Sequence, residues 1–122
     1  MILTQSNFAQ VTTILSEEPA LKNTELDVKA EYDGGMEKFY KYIFKNFKPP
    51  KEVLNGTIFI TFIIEKDGSI SNINVVKDLG WGSGQEAIRV MKKCKKWKPG
   101  EKDGKLVRSI YGLPISIHSE KL

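Results

Sequence analysis

Residues 83–105, SGQEAIRVMKKCKKWKPGEKDGK, followed by residues 106–117, LVRSIYGLPISI, decide the fold. Ser83 with Glu86 three residues later has the spacing of a capping box, in which each side chain satisfies one orphan N–H of a helix start. Ala87, Val90, Met91, Cys94 and Trp97 recur at helical spacing and predict one apolar face. Lys92, Lys93, Lys95 and Lys96 crowd the last turns, where positive charge suits the negative end of the helix dipole. Pro99 and Gly100 then end the helix, since proline cannot continue it and glycine can turn. After a short polar loop, residues 106–117 read as a strand. Val107, Tyr111, Leu113, Ile115 and Ile117 share one face, and Arg108 and Ser116 point the other way. Pro114 lacks an amide to donate to a ladder, so this strand belongs at a sheet edge.

Upstream, residues 56–65, GTIFITFIIE, form the clearest strand. Ile58, Ile60, Phe62 and Ile64 make one face, while Phe59 and Ile63 make the other partly apolar, the pattern of a central strand. Lys66-Asp67-Gly68-Ser69 predicts a hairpin turn of type I′. The next strand covers about residues 70–77. Its apolar phase changes between Ile70 and Ile73, which predicts a bulge near Ser71 and Asn72. Before these strands, Met36, Phe39, Tyr40, Ile43, Phe44 and Phe47 fall on one helical stripe. Asp33-Gly34-Gly35 turns the chain into that helix, and Pro49-Pro50 stops it. The aromatic residues lie at core spacing and are expected to be buried. Lys38, Lys41, Lys45 and Lys48 lie off the stripe and are expected to face solvent.

The element order is therefore α-β-β-α-β. A hairpin followed by one crossing helix leaves the last strand antiparallel to the first strand alone. The expected fold is α+β, with two helices packed on one face of a three-stranded antiparallel sheet ordered second-first-third. The 106–117 strand keeps a free outer edge. Residues 1–30 match neither period cleanly. They are expected to be an arm or linker with a short strand near residues 25–29, and residues 31–122 the domain. Gly80-Trp81-Gly82 leads into the second helix, with Trp81 expected to pack that loop onto the fold.

The chain of 122 residues suits one domain, and its net charge of +4 permits an acidic partner without demanding one. No apolar run is long enough to span a bilayer, and MILTQSNFAQ lacks the parts of a signal peptide. An exported native protein would have lost its targeting segment from this chain. One cysteine, Cys94, and one histidine, His118, allow no internal disulfide and no ordinary Cys/His zinc site. Cys94 on an apolar face reads as a small buried hydrophobe. No Ser/His/Asp set, metal cluster or paired carboxylate spacing is present, so neither catalysis nor a cofactor is expected. The glycines around Trp81 lack phosphate-loop spacing. The lysines are scattered or serve a helix end, which argues against nucleic acid as a partner.

Taken together, the GTIFITFIIEKDGSI run, Glu86-Ala87-Ile88-Arg89, Trp97-Lys98-Pro99-Gly100, Gly104-Lys105 and Leu113-Pro114-Ile115 resemble the TonB C-terminal domain family in order and spacing. Asp33-Gly34-Gly35-Met36 is similar to the version common in Bacteroidetes energy transducers. The resemblance covers about residues 30–118. It implies a non-enzymatic periplasmic domain that grips the TonB box, a short segment at the plug N-terminus of an outer-membrane TonB-dependent transporter. The segment joins the sheet as an added strand beside the last one. Leu106, Val107, Arg108, Ser109, Ile110, Tyr111, Gly112 and Leu113 are the implied contact. Gly112 would let a second backbone approach, Pro114 would limit the pairing, and Arg108 could meet an acidic group. The resemblance also implies the ExbB–ExbD motor as a partner. It further implies an inner-membrane anchor and a proline-rich linker, neither of which is in this chain. The alternatives are self-assembly through the same edge, as a homodimer or with the N-terminal arm, and an accessory periplasmic peptide-binding domain without energy transduction.

Overall fold

The computed structural model describes residues 18–119. Its elements are β1 (Leu21–Lys22), a 3-10 turn (Asn23–Glu25), α1 (Gly35–Asn46), β2 (Asn55–Ile64), β3 (Ile70–Lys77), α2 (Ser83–Lys92), β4 (Gly100–Lys102), β5 (Lys105–Val107) and β6 (Ser109–His118). The main sheet has the order β1-β6-β2-β3. β2 is central, antiparallel to both β3 and β6. Two features correct the expected three-stranded antiparallel sheet. A fourth strand, β1, lies parallel to β6 at the edge, and β4 and β5 form a separate two-stranded ribbon.

Alternation along the strands builds the core. Ile58, Ile60, Phe62 and Ile64 of β2 and Leu113, Ile115 and Ile117 of β6 are buried on one face. Phe39 and Ile43 of α1 and Ala87, Val90 and Met91 of α2 complete the same cluster. The register between β2 and β3 shifts between Thr61, opposite Asn74, and Ile63, opposite Ser71, and Asn72 takes φ +48°, so the predicted bulge is present. The Asp-Gly turn expected between β2 and β3 is of another kind. Among Lys66, Asp67, Gly68 and Ser69 only Gly68 has positive φ, whereas type I′ needs two such residues. Asp67 instead accepts the Ser69 amide and hydroxyl, which holds the turn from its side chain. The two-residue turn with both φ positive is Asp103-Gly104, between β4 and β5.

α2 departs from expectation at both ends. Ser83 and Glu86 do not form a capping box, and the cap position is Gly82 in the left-handed region. Asp78 takes over, accepting hydrogen bonds from the Gly80 amide, the Ser83 hydroxyl and the Gly84 amide. Glu86 is drawn instead to Arg89 and to the Lys48 amide, which ties α2 to the end of α1. The helix stops at Lys92, before Cys94 and Trp97. The backbone there is claimed by extended pairing. The Trp97 amide donates to the Gly68 carbonyl at 2.8 Å, and Lys98 exchanges hydrogen bonds with Glu31. Trp97 then enters the core edge-on to Phe39, Phe62 and Tyr111.

The described part of the N-terminal segment packs on the domain. Leu26 and Ala30 are buried, and Val28 bridges to Glu101. The strand expected near residues 25–29 lies earlier, at Leu21–Lys22, while residues 28 and 31 make only isolated bridges. Residues 1–17 of the expected arm lie outside the described residues. Trp81 does not pack its loop down; it is 67% exposed at φ +57°.

Candidate functional site: the outer edge of the last strand

A strand's backbone groups alternate sides as its side chains do. The Arg108 carbonyl points away from β2, because it accepts the Leu21 amide at 2.9 Å. The Pro114 carbonyl also points outward, accepting the Tyr40 hydroxyl at 3.0 Å. Even-numbered residues of β6 therefore turn their backbone to the outer edge, and odd-numbered residues pair with β2. Pro114 sits where its missing amide leaves no hole in the β2 ladder, as an edge proline must.

This edge has two parts. At its start, β1 runs parallel with Leu21 opposite Ser109 and Lys22 opposite Ile110. Beyond Ile110, Gly112, Ser116 and His118 present their backbone on the side of β6 away from β2. There the edge meets a groove of about 920 Å³ lined by Phe44, Phe47, Pro50, Val53, Ile117 and His118, among others. Phe44 and Val53 are half-exposed on its wall, and Phe44 stacks on Tyr40. The helical stripe predicts Phe44 in the core. The helix turns it past the sheet edge instead, and only the tertiary position of α1 could show this.

The eight residues expected to make the contact do not share one setting. Leu106 and Val107 belong to β5 and pair with β4. Ser109 and Ile110 lie under β1. Tyr111 and Leu113 face the core, with Leu113 fully buried and Tyr111 stacked on Phe62. Leu106 and Ile110 expose apolar side chains. Gly112 has a use inside its own sheet, since a Cβ there would stand 3.1 Å from the Phe59 ring. Arg108 is held by this chain: its Nε donates to Glu65 Oε1 at 2.6 Å and its Nη1 to the Glu18 carbonyl at 2.5 Å. The Arg108 hydrogen bond holds the Glu65 carboxyl below the usual glutamate value, and Ser71 assists.

Chemistry elsewhere is quiet. Burial pushes the Cys94 thiol up, which disfavours the reactive thiolate. Among the described residues, no group of three or more His, Cys, Asp or Glu side chains is placed to hold a metal. No described helix is long and apolar enough to cross a membrane.

A family model described as Gram-negative bacterial TonB protein C-terminal matches residues 51–116. The chain belongs to that family. The match runs from just before β2 almost to the end of β6, so it contains the central hairpin, α2 and most of the outer edge. α1 and residues 18–34 lie outside it. A search of the curated proteins finds none that matches. TonB C-terminal domains are non-enzymatic and transport-associated, and the family generally interacts with outer-membrane TonB-dependent receptors.

Proposed function

We propose that this chain is the periplasmic, peptide-gripping domain of a TonB-like energy transducer of the Bacteroidetes type. It engages the TonB box of an outer-membrane TonB-dependent transporter by adding that segment as a strand to the outer edge of β6. The observation that carries this reading is the outward backbone of β6 beyond Ile110, lying beside a groove with apolar walls at Phe44 and Val53, in a TonB C-terminal domain. Backbone pairing supplies attraction that tolerates many sequences, and the groove between Phe44 and Val53 supplies selection for an apolar side chain. The contact expected at residues 106–113 extends on this view to residue 118, with backbone pairing interrupted at Pro114, which has no amide and whose carbonyl accepts the Tyr40 hydroxyl. Force would reach the domain from an ExbB–ExbD motor through a membrane anchor and linker joined to this domain.

An isotope-edited NMR titration with synthetic transporter plug-terminus peptides tests the reading. Affinities between about micromolar and millimolar, roughly −8 to −4 kcal/mol, are expected. The shifted amides should cluster in residues 106–118 and around Phe44. Amides there that stay still at millimolar peptide would sink it. A second reading, pairing of two copies through this edge, is favoured by the exposed Leu106 and Ile110 side chains next to it. Light scattering that returns a monomer at high concentration removes that alternative.

A further inference from the structure

We propose that residues 18–22 are an internal occupant of the strand-addition edge, which a partner segment must displace before it can pair with Ser109 and Ile110. This inference rests on the strand-addition reading. β1 already does to β6 what an added strand would do: Leu21 donates its amide to the Arg108 carbonyl, in register with Ser109. The hold is slight. The paired stretch is two residues long, and none of residues 18–22 is buried. Among the described residues, the contacts upstream include the Glu18 carbonyl on Arg108 and an exposed Glu18–Lys66 ion pair at 2.6 Å. Exposed pairs of this kind contribute little.

The anchoring changes abruptly after the 3-10 turn. Asn23–Glu25 contains no buried residue. From Leu26 onward the chain is fixed: Leu26 and Ala30 are buried, the Ala30 amide donates to Asn23 Oδ1, and residues 28 and 31 bridge to residues 101 and 98. The edge segment can therefore open locally about residues 23–25 while the rest stays folded. Because it remains tethered, it competes at high effective concentration. Its geometry divides the edge into a part beyond Ile110 that a partner can reach at once and a part it reaches only after release. The same contact protects an exposed edge from pairing indiscriminately.

The test uses the full 122-residue chain and two variants. Leu21→Pro removes the amide that bonds Arg108. Lys66→Glu turns the Glu18 ion pair into a repulsion, far from the groove. Hydrogen exchange of the Leu21 amide, compared with that of Ile60 in central β2, reports release, and peptide titration reports competition. Leu21 should exchange far faster than Ile60. Leu21→Pro should bind transporter plug-terminus peptides about three- to tenfold more tightly than the parent, the scale of one backbone hydrogen bond removed from the competing state, and Lys66→Glu should shift affinity in the same direction by about twofold, as an exposed pair allows. Equal affinities in all three chains overturn the internal-occupant proposal and leave strand addition standing. Leu21 protection equal to that of Ile60 overturns it as well. No binding to any of the three overturns strand addition, and this inference with it.

Discussion

Trp97 and Gly68 depend closely on each other. Gly68 sits at φ +86°, and a Cβ on it would stand 2.0 Å from the Trp97 carbonyl oxygen. The turn between β2 and β3 thus receives the chain as it leaves α2, and the Trp97 indole is delivered among Tyr32, Phe39, Phe62 and Tyr111. Trp97→Ala should cost about 3–5 kcal/mol in urea unfolding, the usual range for emptying a large aromatic site. Trp97→Phe should cost less, because a phenyl ring keeps much of the edge-on aromatic packing that alanine loses. Gly68→Ala should cost at least about 1–2 kcal/mol from the left-handed backbone alone, and the clash adds to it. Equal unfolding midpoints for Gly68→Ala and the parent would refute the dependency.

At the scale of elements, the outer edge of β6 can be separated from its inner pairing. Ser116 directs its backbone outward, so Ser116→Pro removes an edge donor while leaving the β2 ladder complete. Phe44 is half-exposed, so Phe44→Ala empties the groove wall without opening the core. Both variants should unfold within about 1 kcal/mol of the parent, as surface changes do. Both should weaken peptide binding in the titration, Phe44→Ala by roughly tenfold if an apolar side chain seats there, since each 1.4 kcal/mol is tenfold. Unchanged affinity in both would locate the contact elsewhere. The free edge was legible in residues 106–117, through Pro114 and the element order. Its partial cover by β1 was not, because two residues carry no periodicity and their pairing is chosen by a strand some ninety residues away.

Across the whole molecule, several carboxylates are held in their ionised form by hydrogen bonds within and between elements. Glu65 is held low by its hydrogen bond to Arg108, Glu86 by its hydrogen bond to Arg89, and Asp78 by the Gly80 amide. Each therefore binds its proton less readily in the folded state than in the unfolded one. Their stabilisation is fully present above the ordinary values of 4.5 for glutamate and 3.8 for aspartate. It is lost as pH falls through the lower folded values. Thermal unfolding should be flat in pH near neutrality and decline below about pH 4.5. A midpoint that held steady to pH 3 would contradict this. Replacing Glu65 with Gln should flatten part of the decline and loosen Arg108, and with it the hold on β1.

What the amino-acid sequence determined by itself was whatever depends on neighbours in the chain. The alternation in residues 56–65, the stripe from Met36 to Phe47, the Asp33-Gly34-Gly35 turn and the proline at 114 each act within a few residues. The tertiary structure decided everything in which distant backbones compete for the same residues. α2 ends at Lys92 because Trp97 and Lys98 are claimed by Gly68 and Glu31. The capping box gives way because Asp78 reaches Ser83 and Gly84 first. Phe44 leaves the core because α1 overhangs the sheet edge, and Ser109 and Ile110 are covered because β1 folds back onto them. Local pattern specifies which groups seek partners. Only the packed chain specifies which partner, among several of similar energy, is within reach.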